Sequence, residues 1–123
     1  MATTKQINMR KAVLAYLKTN PERHNQSSWV YSNDIYSFND IDVLEMREGM
    51  CNTTMCVAGT AVFLDALESN TPRIHILGDN GWTKKAASIL GLDYDTAYHM
   101  FMNMNNTQVL EKLQELSLEE PNE

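Results

Sequence analysis

Cys51 and Cys56, with His24, His75 and His99, are the thiols and imidazoles of this chain, and their order along it frames the chemistry open to it. A cysteine in the first turn of a helix has its thiolate favoured by the helix N-terminus, so Cys56, at the start of an apolar run, has the position of a nucleophile or a metal ligand. Gln26, then Cys51 or Cys56, then His75 or His99 follow the order in which cysteine hydrolases present oxyanion donor, nucleophile and base. Those enzymes bring the histidine on a strand packed against the cysteine helix, and here only His75 falls on an expected strand, a short one. A metal site would need two ligands beyond the cysteine pair. The Cys-x4-Cys spacing is loose for zinc, and the chain has neither a closely spaced histidine pair nor a second cysteine pair. The plain alternative is that the cysteines are small buried hydrophobes. The expectation is therefore no enzyme, no catalytic residue, no metal and no cofactor.

The elements that must position these residues follow from periodicity. From Thr4 to Thr19, Ile7, Ala12, Val13, Tyr16 and Leu17 fall along one side of a helix, with Lys5, Arg10, Lys11 and Lys18 read as its outer face. Pro21 stops it. From Pro21 to Asp42 the periodicity disappears and aromatics (Trp29, Tyr31, Tyr36, Phe38) are interspersed among Asn, Ser and Asp, with a short strand near Trp29 to Tyr31. Ile41 to Arg47 reads as a short helix. Met55 to Leu67, capped by Thr53 or Thr54, is apolar nearly all round and must be the buried central helix. Arg73 to Leu77 alternates as a strand and runs into a Gly78 to Gly81 turn.

The last third reads as helices: Lys84 to Leu90 capped by Thr83 and ended by Gly91, then one capped by Asp93 with Ala97, Phe101 and Met104 at helical spacing, then one starting at Asn106 or Thr107 with Val109, Leu110, Leu113 and Leu116 on one face. The first two have the spacing of a DNA-binding helix-turn-helix. A DNA reader needs cations on its second helix, whereas this one opens with Asp93 and Asp95 and holds no Lys or Arg, so the pair reads as a structural hairpin. Met100 and Met104 share a helical face and Met102 points away, so the three sulfurs do not make one soft-metal site.

Composition bounds the rest. At 123 residues and 43% hydrophobic content the chain makes one core, which excludes a two-domain enzyme. No apolar run approaches a membrane span, and the opening Met-Ala-Thr-Thr-Lys-Gln has no secretion-signal pattern, giving a cytoplasmic, membrane-free expectation. The net charge of −6 is uneven. The first 25 residues carry five basic and one acidic side chains, the remaining 98 five and fifteen. Because the acidic part holds the helix-turn-helix candidate, this split argues against a DNA reader and is better explained by a basic helix packing near an acidic body, or by two differently charged faces available to a protein partner.

The stretch Pro21-Glu22-Arg23-His24-Asn25-Gln26-Ser27-Ser28-Trp29, the segment Cys51-Asn52-Thr53-Thr54-Met55-Cys56-Val57-Ala58-Gly59-Thr60-Ala61 and the closing Leu90-Gly91-Leu92 together resemble a group of small bacteriophage and bacterial proteins. Asn52 departs from the glycine expected there. The resemblance spans about Val13 to Phe101 and implies a phage or bacterial origin but no biochemistry. The expected fold is mainly α: about five helices around a buried central helix, with a minor β element from the Trp29 and Ile74 regions. Residues 1–118 form one helical domain and 119–123 an acidic tail. The expected role is a non-enzymatic accessory protein that binds a host or phage macromolecule, with inhibition one form of it. The polar cluster His24, Gln26, Trp29, Cys51, Thr53, Thr54 and Cys56 is the candidate site, and the aromatic stretch from His24 to Phe38 the candidate surface. A Cys/His thiol or metal site, and nucleic-acid binding through Lys84, Lys85 and the basic first helix, are the alternatives.

Overall fold

The computed structural model describes residues 2–24, 30–31, 41–42, 54–71, 73–74 and 78–121. Gln26, Trp29, Cys51, Thr53 and His75 lie outside them, as does the aromatic stretch apart from His24, Val30 and Tyr31.

The described chain is mainly α-helical, as its periodicity predicts. Helix α1 spans Thr4–Thr19, with Thr3 and Gln6 forming a reciprocal capping box at its start. Helices α2 (Val57–Glu68), α3 (Gly78–Leu90), α4 (Tyr94–Asn103) and α5 (Asn106–Ser117) follow. Two antiparallel ladders of two residues each accompany them: β1 (Val30–Tyr31) with β3 (Thr54–Met55), and β2 (Ile41–Asp42) with β4 (Arg73–Ile74). Ile41 and Asp42 therefore pair with a strand instead of opening a helix, and the Trp29 and Ile74 regions belong to separate ladders.

Helix α2 is the most buried. Val57 to Phe63 and Ala66 are all inside, because the charged side chains of this helix, Asp65 and Glu68, are confined to its C-terminal end and leave the rest apolar. It packs against α1 and α3, with Tyr16 meeting Phe63 edge-on at 6.1 Å. Helix α1 has a wider role and packs on α2, α3 and α5. Helix α3 begins at Gly78, five residues before the expected Thr83 cap. Trp82 and Thr83 are 1% and 0% exposed, and burying them within the helix overrides the turn preference of Gly78-Asp79-Asn80-Gly81.

The α3–α4 connection follows local rules closely. Gly91 adopts a left-handed φ of 68°, and the Leu92 N–H donates to the Ala87 carbonyl at 2.9 Å, closing α3 as a Schellman turn. Asp93 then caps α4, its carboxylate accepting from the Thr96 N–H at 2.8 Å and the Thr96 hydroxyl at 3.1 Å. These bonds to the charged form hold the Asp93 carboxyl below its ordinary pKa.

Gly91 is also crowded. A Cβ there would lie 2.6 Å from Gln6 Oε1 and 3.0 Å from the Ala2 Cβ. Gly91→Ala is expected to cost about 1–2 kcal/mol in urea unfolding, from left-handed strain and displacement of the Gln6 side chain. An unchanged midpoint would show that neither the strain nor the contact matters.

Candidate functional site

Of the sequence-derived cluster, His24, Thr54 and Cys56 fall within the described residues. The 3-10 turn Pro21–Arg23 leads into His24 and packs beside β3, so the topology brings the His24 turn next to the strand that enters α2. His24 is buried, its N–H bonded to the Pro21 carbonyl and its own carbonyl accepting from Asn106 Nδ2 at 3.0 Å.

Cys56, not Thr53 or Thr54, is the N-cap of α2. Thr54 and Met55 are committed to β3, so the helix starts two residues later than expected and the sulfur accepts the Gly59 N–H at 3.4 Å. The Cys56 carbonyl takes the Thr60 N–H and hydroxyl at 2.9 and 2.8 Å. The helix terminus and its hydrogen bonds favour thiolate, but Cys56 is 1% exposed, and loss of hydration outweighs them, pushing the thiol up to about 12. Burial, rather than the helix terminus, sets the state of this thiol. Among the described residues no three His, Cys, Asp or Glu side chains gather at metal-binding distance.

The largest departure concerns Arg10. Read from sequence as part of a solvated basic face, it is 1% exposed. Its Nε donates to the Leu90 carbonyl at 2.7 Å, Nη2 to Gly91 at 2.9 Å, and Nη1 to Leu116 at 2.8 Å and to the Glu119 carboxylate. One turn earlier Gln6 Nε2 donates to the Ser88 carbonyl at 2.9 Å. Side chains of α1 thus satisfy the last carbonyls of α3 and α5, where the helix dipoles also favour a cation. The sequence holds a signal for this. Arg10 lies three residues from both Ile7 and Val13, inside the apolar row that ends at Leu17, while Ala12, assigned to that row, is exposed. The guanidinium also lines an open cavity of about 560 Å³ next to Lys112, Asp93 and Glu120, a mixed lining in which the acids outnumber the cations once Glu119 is included.

A second surface is exposed on α4. Of the four large hydrophobic side chains exposed among the described residues, three are on this helix: Tyr94 at 40%, Tyr98 at 47% and Met102 at 37%. Spaced four apart, they form one row along the helix. The tyrosine rings stack with centroids 6.1 Å apart and 26° between planes. A parallel polar row carries Asp95, His99 and Asn103, with Asn103 Nδ2 3.4 Å from His99 Nδ1. Ala97, Met100 and Phe101 occupy the opposite, buried side. The helical spacing of Ala97, Phe101 and Met104 marks the inner face, and the four-residue spacing of Tyr94, Tyr98 and Met102 is the sequence signal for the outer row. No helix among the described residues is long and apolar enough to cross a membrane. Comparison with known protein families, curated proteins and solved structures finds no match for this chain.

Proposed function

We propose that this chain is a non-enzymatic accessory protein of the phage type that acts by docking on another protein, and that the outer face of α4 is where it docks. The observation that carries this reading is the exposed Tyr94–Tyr98–Met102 row. Tyrosine and methionine are enriched at protein interfaces, the first as rigid amphipathic anchors and the second as an adaptable contact. The protonated state of Cys56 supports a binding role over a thiol-dependent one. The withdrawal of Arg10 from the surface supports a protein partner over nucleic acid, since it leaves three exposed cations on α1. Acting in the host cytoplasm is part of the proposal.

The test is site-directed photo-crosslinking in the producing cell. A benzophenone amino acid in place of Tyr98 is expected to give one discrete protein adduct, and the same probe in place of the exposed Lys84 on α3 none. No adduct at position 98, or equal labelling at both positions, would remove the α4 face from consideration.

A further inference from the structure

Independently of the α4 row, we infer that the cavity beside Arg10 is a site for a small aliphatic amino acid or a like zwitterion, and that the tail residue Glu119 competes for its carboxylate position. The size fits: about 560 Å³ lies within the range of small-molecule pockets, roughly 300–1,000 Å³. Its polar groups sit on fixed supports. Arg10 is tied down by the Leu90, Gly91 and Leu116 carbonyls, and Asp93 by the Thr96 N–H and hydroxyl. Ala2, Leu92 and Leu116 add an apolar wall.

The arginine is the anchor. A buried guanidinium demands an anionic partner, and the one this chain supplies among its described residues is the half-exposed Glu119. The hold on that partner is slight. The Glu119 N–H reaches the Leu116 carbonyl at 3.3 Å, and Leu118 beside it is exposed, so the end of the chain has little packing of its own. A ligand carboxylate takes the same guanidinium edge once the tail swings aside.

The charges of the lining set the ligand class. With Glu119 displaced, the described lining holds two cations, Arg10 and Lys112, and two carboxylates, Asp93 and Glu120. Lys112 pairs loosely with Glu115 at 3.6 Å, a surface contact it can give up. A dicarboxylate or a phosphate would meet Asp93 and Glu120 as like charges, and a plain amine would leave Arg10 unpaired. A molecule with one carboxylate and one ammonium satisfies both halves, the first at Arg10 and Lys112, the second at Asp93 and Glu120.

The full chain labelled with ¹⁵N, as the parent and as Glu119→Ala, would be titrated with three probes: L-leucine, 4-methylpentanoate, which lacks its ammonium, and 3-methylbutylamine, which lacks its carboxylate. The Arg10 Nε–H signal, protected by its 2.7 Å bond to the Leu90 carbonyl, reports on the site directly. Leucine is expected to bind Glu119→Ala saturably, shifting that signal and the amides of residues 91–96 and 112–116. Its affinity for the parent should be at least ten-fold weaker, because the tail carboxylate competes from within the chain at high effective concentration. Each of the other two probes should bind at least five-fold more weakly than leucine. Adding Asp93→Asn, which keeps a capping side chain but removes its charge, should bring leucine down to the level of 4-methylpentanoate. Circular dichroism spectra unchanged from the parent check that the variants are folded. No saturable leucine shift in Glu119→Ala, or a single-charge probe that binds as well as leucine, would overturn the zwitterion site. Equal leucine affinity in the parent would overturn the competition by Glu119, and undiminished binding after Asp93→Asn would overturn the ammonium position.

Discussion

Arg10→Met is expected to lower the unfolding free energy by about 3–5 kcal/mol, the range for removing one partner of a buried charged network. Methionine fills much of the space, so the loss is one of hydrogen bonds. The carbonyls of Leu90, Gly91 and Leu116 would lose the donors that Arg10 supplies, and a buried polar group without a partner costs about 1–3 kcal/mol. For a domain of this size the melting temperature should fall by about 10 °C or more.

The comparison with Glu119→Gln makes the mechanism testable. Glu119 is half exposed, so its ion pair with Arg10 is largely solvent-screened and its loss should cost less than about 1 kcal/mol. Urea unfolding of the two variants, with unchanged slope, would give the ordering directly. If Glu119→Gln proved as costly as Arg10→Met, the ion pair rather than the three carbonyls would be holding the helix ends. Arg10→Lys should fall between them, because an ammonium has no planar fork with which to reach α3 and α5 at once.

Cys56 is expected to react with iodoacetamide at pH 7 about a thousand-fold more slowly in the native protein than in urea, with labelling read by peptide mapping so that Cys51 is counted separately. An unperturbed thiol with its ordinary value of 9.0 is about 1% thiolate at pH 7. With its pKa pushed up to about 12 the native thiol is almost entirely protonated, and its burial shields it further.

The same shift predicts an alkaline dependence of stability. The ordinary value is 9.0 and the native one about 12. Between them the unfolded chain has released the proton and the native chain has kept it, so stability from this group is fully present below pH 9 and declines as pH rises toward 12. The slope is about 1.4 kcal/mol per pH unit relative to Cys56→Ser, which lacks the titrating thiol. Rapid native labelling at pH 7, or identical pH profiles for the two proteins, would show that the helix terminus rather than burial controls this thiol.

Of the two explanations of the charge split, a basic helix packed near an acidic body accounts for part of it. Lys5, Lys11 and Lys18 remain exposed on α1, and Lys18 Nζ reaches Gln114 Oε1 on α5 at 3.3 Å. Arg10 lies in the interior. The basic helix packs on the acidic half of the chain, and part of the asymmetry is internal structure rather than surface signal. Glu119, the first residue of the acidic tail, is held by Arg10.

What the sequence determined by itself is what short-range physics controls. The bounds of α1, the stop at Gly91, the Asp93 cap and the inward face of Val109, Leu110, Leu113 and Leu116, of which Leu110 is half-buried, all depend on residues within a turn or two of one another. Such interactions act wherever the segment lies in space. Tertiary structure decided the ionisation of Cys56, the helical state of Gly78 to Gly81, the outward turn of Tyr94 and Tyr98, and above all the role of Arg10. The carbonyls that hold that guanidinium come from 80, 81 and 106 residues away. Periodicity ranks an arginine as outward because hydration is its best environment in isolation. Only the assembled ends of α3 and α5 supply enough acceptors, and enough negative potential, to replace that hydration.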